Sequence, residues 1–188
     1  GNRATLFDPN DTLASPFGWH DTNFLPGADT ANSTGNNVIA QTPGPNPQTA
    51  QSPILDFTFP LDLTQTAAAN TDAQLSNLFY WANLAHDISY RHGFDEIAGN
   101  FQFANRSGVG IPGDPVIALD QATFFGAPVL NNAFMATPPD GQSPTMAMGV
   151  FNINLPQNFF RSSSLDGFIV LHEFTHGISN RLTGGAAN

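Results

Sequence analysis

The 188-residue sequence predicts an α+β fold, because two stretches of helical periodicity flank a run of short strand candidates. One helix is expected near residues 71–92 and the other near 165–182, with Gly-, Pro- and Asn-rich loops breaking the β-like segments between them. An apolar content of 40% is enough to build a core, and the length fits one domain of ordinary size or two small subdomains.

Residues 1–53 are rich in Asn, Asp, Thr, Pro and Gly and end in Thr42-Pro-Gly-Pro-Asn-Pro, which predicts a long surface wrapping. Next, Ile54-Leu-Asp-Phe-Thr-Phe alternates, with Leu55, Phe57 and Phe59 on one face, as a half-buried strand would before Pro60. The first helix has Asn70 or Thr71 as cap and Asp72 in its first turn. Its inner face is Leu75, Leu78, Phe79, Ala82 and Ala85, and Gly93 is its stop. Pro115-Val-Ile-Ala-Leu and Thr145-Met-Ala-Met-Gly-Val-Phe read as strands. The last helix has Ser164 or Asp166 as cap and Phe168, Ile169, Leu171 and Ile178 as an apolar body, mostly buried. Arg181 lies in its last turn, and Gly184 or Gly185 closes it. The chain thus divides into a wrapping (1–53), strands with the first helix (54–160), and the last helix with its cap (161–188).

Composition excludes several functions. Five arginines face fifteen acids, giving a formal charge of -10 and a pI near 4.4. A nucleic-acid partner is not expected of a chain without a basic footprint. Without cysteine, disulfides, thiolate metal sites and thiol nucleophiles are ruled out. No run of eighteen apolar residues offers a membrane span, and Gly-Asn-Arg-Ala-Thr at the start is not a signal peptide.

The sharpest chemical signal is His172-Glu-Phe-Thr-His176. Four residues advance a helix by slightly more than one turn, so His172 and His176 project from one face and reach one ion. Glu173 stands about 100° round the helix, able to reach a metal-activated water without displacing a ligand. Zinc suits two neutral imidazoles with an open position, and Glu173 then acts as general base. The pattern is that of a zinc peptidase helix, but no acid follows it in the sequence to serve as third ligand.

Other candidates have simpler readings. His20, His86 (beside Asp87) and His92 are donors in principle, but an isolated histidine more often makes structural hydrogen bonds. Asp8-Pro-Asn-Asp11 has calcium-type ligands without an EF-hand pattern, and solvated turns account for it. Asn131-Asn132 alone reads as a turn. Three sequons, Asn10-Asp-Thr, Asn32-Ser-Thr and Asn105-Arg-Ser, fit a eukaryotic secreted glycoprotein.

The run from Leu165 through His172-Glu-Phe-Thr-His-Gly-Ile-Ser-Asn-Arg-Leu-Thr-Gly-Gly185 resembles the active-site segment of the fungalysins, secreted fungal metallopeptidases related to thermolysin. Phe79-Tyr-Trp-Ala-Asn-Leu-Ala-His-Asp with Gly93-Phe-Asp-Glu-Ile-Ala-Gly-Asn-Phe-Gln102, and Thr137-Pro-Pro-Asp-Gly-Gln-Ser-Pro-Thr-Met-Ala-Met148, are similar to two further segments of that family. Asn131-Asn-Ala-Phe-Met135 resembles the thermolysin-type edge strand that grips substrate backbone. By that resemblance Asn132 would hydrogen-bond substrate, Ala133 would offer main-chain groups and Phe134 would line the cleft.

The resemblance implies a thermolysin-like N-terminal lobe with short, mostly antiparallel strands. It also implies one zinc ion, protein or peptide substrates, secretion, and an inhibitory propeptide in the precursor. Family members carry a C-terminal helical lobe with a glutamate as third zinc ligand and a histidine that steadies the transition state. Neither can be assigned in this sequence, so the chain reads as the N-terminal half of a catalytic domain, with the C-terminal half as one possible separate partner. The competing expectation is a catalytically silent fragment that serves as a binding or interaction protein.

Overall fold

The computed structural model describes residues 4–152 and 160–184. Eight short strands and two helices make an α+β fold: β1 (Val38–Gln41), α1 (Thr71–Arg91), β2 (Val116–Leu119), β3 (Thr123–Phe124), β4 (Ala127–Pro128), β5 (Ala133–Ala136), β6 (Thr145–Met148), β7 (Val150–Phe151), β8 (Arg161–Ser162) and α2 (Gly167–Leu182). The main sheet runs β1-β2-β6-β5, while β3-β4 and β7-β8 form separate pairs.

The helices pack on each other and on one face of the main sheet. Strand alternation selects that face: Val38 and Ala40 of β1, Val116 and Ala118 of β2, and Met146 and Met148 of β6 are all sealed from solvent. They meet Leu75, Leu78, Phe79 and Ala82 of α1 and Val170 and Phe174 of α2 in one cluster. All five residues expected on the inner face of α1 are buried. Its C-terminus closes with Phe94 N–H donating to Ser89 O and Gly93 N–H to Tyr90 O, the two bonds of a Schellman turn, with Gly93 at φ +96°.

The main sheet is mixed, so the expectation of mostly antiparallel strands holds for three of the five strand pairings. β3-β4, β5-β6 and β7-β8 are antiparallel, but β1-β2 and β2-β6 are parallel. The cause is topological: α1 lies between β1 and β2 in the chain and acts as the crossover that parallel neighbours need. Residues 1–53 also do more than wrap the surface, since they contribute β1 and the buried Trp19.

Residues 54–59 form no strand. Turn chemistry wins: Leu55 takes φ +59°, its N–H donates to Ser52 O, and Asp56 Oδ1 accepts from both Thr58 N–H and Thr58 Oγ1. Phe57 and Phe59 still pack against the core, whereas Ile54 is 83% exposed. Residues 145–151 form two strands, interrupted at Gly149.

The N-terminal segment is fastened to α1 through one buried carboxylate. Asp87 accepts from Asp11 N–H (2.9 Å), Ser15 Oγ (2.7 Å) and Trp19 Nε1 (2.7 Å), and its Oδ1 lies 3.0 Å from His86 Nδ1. The other ring nitrogen of His86 meets Asn100 Nδ2 at 3.3 Å, so this fully buried histidine is structural. His20 is likewise internal, stacked 5.2 Å from Phe57 and 4.9 Å from Phe79, and burial pushes its pKa down. His92 is the exposed C-cap of α1. Asp11, the calcium candidate, instead holds the Leu13 and Ala14 N–H groups and pairs with Arg91, which holds its carboxyl below the usual range.

Asp87→Ala strands two buried donors and one half-buried one at once and is expected to cost about 3 kcal/mol or more, read as a lower urea midpoint at unchanged slope. Asp87→Asn, which keeps an acceptor, should cost clearly less; equal losses would show that the donors do not depend on this carboxylate.

Candidate metal centre

The helix that carries the candidate site is set by its cap and by one glycine. Asp166 Oδ1 accepts from Phe168 N–H at 2.9 Å, choosing between the two caps that the sequence offered. Gly177 faces inward, where an added Cβ would stand 2.7 Å from Met135 Cε and 3.1 Å from the Phe101 ring, so any larger residue there would have to displace the end of Met135 and press on Phe101. Gly184 has φ +97° just past the helix; Gly185 lies outside the described residues.

The helix is split lengthwise. Val170, Glu173, Phe174 and Gly177 are buried, at the i, i+3, i+4, i+7 spacing of an inward stripe. His172, Thr175, His176 and Ser179 are exposed. The expected apolar body is therefore only partly right: Ile169, Leu171 and Ile178 pack against the core edge, while Phe168 is 87% exposed.

His172 and His176 stand as the i, i+4 geometry requires. Their Nε2 atoms are 3.0 Å apart and their rings lie nearly perpendicular, at 89°. Two imidazoles on one tetrahedral zinc at about 2.0–2.1 Å have their nitrogens roughly 3.3 Å apart, so the donor pair fits a single ion with a small adjustment. Among the described residues, no group of three His, Cys, Asp or Glu side chains converges as a metal site. The two histidines are a two-donor set.

Glu173 sits beside this pair but on the buried side, 5% exposed. Burial raises its pKa, while the positive charge that His172 and His176 can carry pulls it down. Among the described residues no donor bonds its carboxylate, which leaves its lone pairs open.

The candidate substrate residues lie on the outermost strand. β5 is paired on one side only, to β6, with Ala133 opposite Met148 and Phe134 opposite Ala147. Asn132 is exposed just before the strand, and Ala133 is half-buried. Met135 points toward α2, whereas Phe134 alternates to the other face and packs with Ala122, Val129, Ala147 and Leu119.

Sequence reasoning gave Arg181 only a helix-end role and missed its partners. Nη1 donates to Asp114 Oδ2, Asp140 Oδ1 and Gly99 O, each at 2.8 Å, and the guanidinium lies 4.8 Å above the Phe101 ring. Its side chain is 5% exposed, and that of Asp114 is fully buried. Burial raises the Asp114 pKa, against the opposing pull of Arg181. No local pattern signals this cluster, since the residues that bond Arg181 lie 41 to 82 positions from it along the chain.

A family model described as fungalysin metallopeptidase (M36) matches residues 1–188. Extracellular metalloproteinase 2 of Phaeosphaeria nodorum is 40% identical over all of the chain, which covers 29% of that relative. Extracellular metalloproteinase MEP of Pyricularia oryzae is 41% identical over 99% of the chain and 29% of its own length. Extracellular metalloproteinase 4 of Trichophyton soudanense is 40% identical over the full chain and 47% of its own length. The chain thus spans less than half the length of these relatives.

Arg181→Met leaves the Asp114 carboxylate buried and unpaired, and a loss of about 3–5 kcal/mol is expected near neutral pH. Because the folded-state pKa of Asp114 is raised, its penalty is present above that value and relieved as pH falls through it. The melting-temperature gap between wild type and Arg181→Met should therefore narrow toward pH 4, and adding Asp114→Asn should narrow it at neutral pH; a pH-independent gap would contradict the pairing.

Proposed function

The chain belongs to the fungalysin metallopeptidase family, and on that premise we propose that residues 1–188 are the N-terminal part of the catalytic domain of a secreted zinc endopeptidase. The reading rests chiefly on the two imidazole nitrogens 3.0 Å apart on α2, with the buried, unbonded carboxylate of Glu173 one position along. Relatives named extracellular metalloproteinases support secretion and peptide substrates.

His172 and His176 would hold the ion through Nε2. Bound there, zinc supplies Lewis-acid activation of water and polarisation of a peptide carbonyl. Glu173 takes the proton of the attacking water on its carboxylate and passes it to the departing amine nitrogen, so the carboxylate is regenerated with each turnover. Partial burial suits both halves of that task, since a raised pKa makes Glu173 a better base and keeps the transferred proton long enough to deliver it. Asn132 and the main chain of Ala133, at the free side of β5, would pair with an extended substrate, and Phe134 would contribute to the cleft wall.

The third ligand is assigned, by the family resemblance, to a glutamate in a C-terminal lobe outside residues 1–188. That lobe would also supply the histidine that steadies the transition state, and a propeptide would cover the site in the precursor. The alternative of a silent binding fragment is separated by assaying the 188-residue chain alone. Chelator-sensitive proteolysis without a second polypeptide would refute it.

In the full-length parent, Glu173→Gln should keep zinc at wild-type stoichiometry by elemental analysis while lowering kcat by about 10²–10⁴-fold. His172→Ala and His176→Ala should each lose the metal. Full activity in Glu173→Gln would sink the assignment.

A further inference from the structure

The three sequons differ sharply in how the fold treats the side-chain amide. Asn10 Nδ2 donates to Ser15 O at 2.8 Å, from a half-buried position. Asn105 Nδ2 donates to Val109 O at 2.7 Å, its Oδ1 is buried without a partner, and a Cβ on Gly110 would stand 3.0 Å from Nδ2. A sugar on either amide would have to fit where a turn is already closed.

Asn32 is different. Its backbone is held on both sides, by Ser52 N–H to Ala31 O (2.8 Å) and Ser33 N–H to Ala50 O (2.9 Å), with Asn32 bridged to Gln51. Ser33 is fully buried and its hydroxyl donates to Ala40 O, so alternation turns Asn32 away from the interior, where it is half-buried like the other two sequon asparagines. Thr34 Oγ1 donates to Asn32 Oδ1 at 2.5 Å. This links the two side chains that define the sequon. Among the described residues Asn32 Nδ2 donates to nothing.

We propose that Asn32 is an N-glycosylation site of this protein and that Asn105 is not. The inference rests on the secreted reading above. The donor is an oligosaccharide linked to a lipid diphosphate: Asn32 Nδ2 forms a bond to the anomeric carbon as the bond from that carbon to the phosphate oxygen breaks. The lipid diphosphate leaves with the bonding pair, and one amide proton passes to a base of the transferase. The transfer precedes folding, so the folded structure decides which product survives secretion. At Asn32 a glycan on Nδ2 displaces no hydrogen bond among the described residues, and the remaining N–H stays free to bond water. At Asn105 the glycan would crowd Gly110 and open the turn.

The test is site-resolved occupancy. The full-length parent, placed behind a cleavable secretion signal in a yeast host, is collected from the medium and treated with peptide N-glycosidase in heavy-oxygen water, which marks each formerly glycosylated Asn as labelled Asp. Label is expected at Asn32 in most molecules and is expected to be lost in Thr34→Ala and in Asn32→Gln, with Asn105 unlabelled. Secreted wild type without label at Asn32, or with Asn105 labelled to the same extent, would overturn the proposal. Occupancy is measured in parallel in Glu173→Gln: retained label there with lost turnover shows that the glycan and the peptidase reading stand or fall separately.

Discussion

The arrangement depends most on the buried guanidinium of Arg181. It draws together Gly99 and Phe101 from the loop after α1, Asp114 from the segment leading to β2, and Asp140 from the loop between β5 and β6. Without it the C-terminal turn of α2 would rest on Asn180 to Thr137, a 3.4 Å contact, and on apolar packing alone. All three oxygens gather at Nη1, whose two N–H groups they share, while the guanidinium plane lies over Phe101 and Nε and Nη2 are buried with no partner among the described residues. Three of its four partners, Gly99, Phe101 and Asp140, lie in the upstream segments that resemble the fungalysins. These distant stretches of sequence thus meet around the end of the candidate metal helix.

Asp87 does for the N-terminal segment what Arg181 does for α2. It is a buried carboxylate whose charge is met by hydrogen-bond donors and not by a salt-bridged arginine, and those donors come from Asp11, Ser15 and Trp19. A polar, loop-rich segment has too little apolar surface to hold itself in place, so it is fixed by hydrogen bonds to a helix that is already packed. The two anchors divide the work. One holds the N-terminal segment to α1, the other holds α2 to the loops that follow α1 and β5.

What sequence could reveal follows from the range of the forces involved. Both helices were legible to within two residues, because capping and periodicity are local: Asp72, Gly93 and Asp166 act on their own turns. His172, Glu173 and His176 were legible as a set because helix geometry alone fixes their relation. Strand 54–59 was misread because Asp56 and Ser52 compete locally for the backbone, and the alternation of Phe57 and Phe59 was packing without a ladder. The parallel core of the sheet and the partners of Arg181 were out of reach, since both are decided by which distant segments meet. The exposure of Phe168 was misjudged for a related reason: a helix shows its period, but not how wide a face its neighbours cover.

The lengthwise split of α2 bears on how the proposed metal centre would work. Glu173 is one residue from a ligand, so the same rotation that separates it from His172 by about 100° carries it from the exposed stripe into the buried one. The base is thereby desolvated and held by the packing of Val170, Phe174 and Gly177 on the sheet, while the two imidazoles face outward. Any further ligand must approach from that outer side, because the inner side is filled by Phe101 and Met135. Two imidazoles bind an ion weakly compared with a closed tetrahedral set, so metal affinity is coupled to whatever covers the outer face. On the proposed reading, the inner face would set the chemistry of Glu173 as base, and the outer face would set how tightly a metal is held.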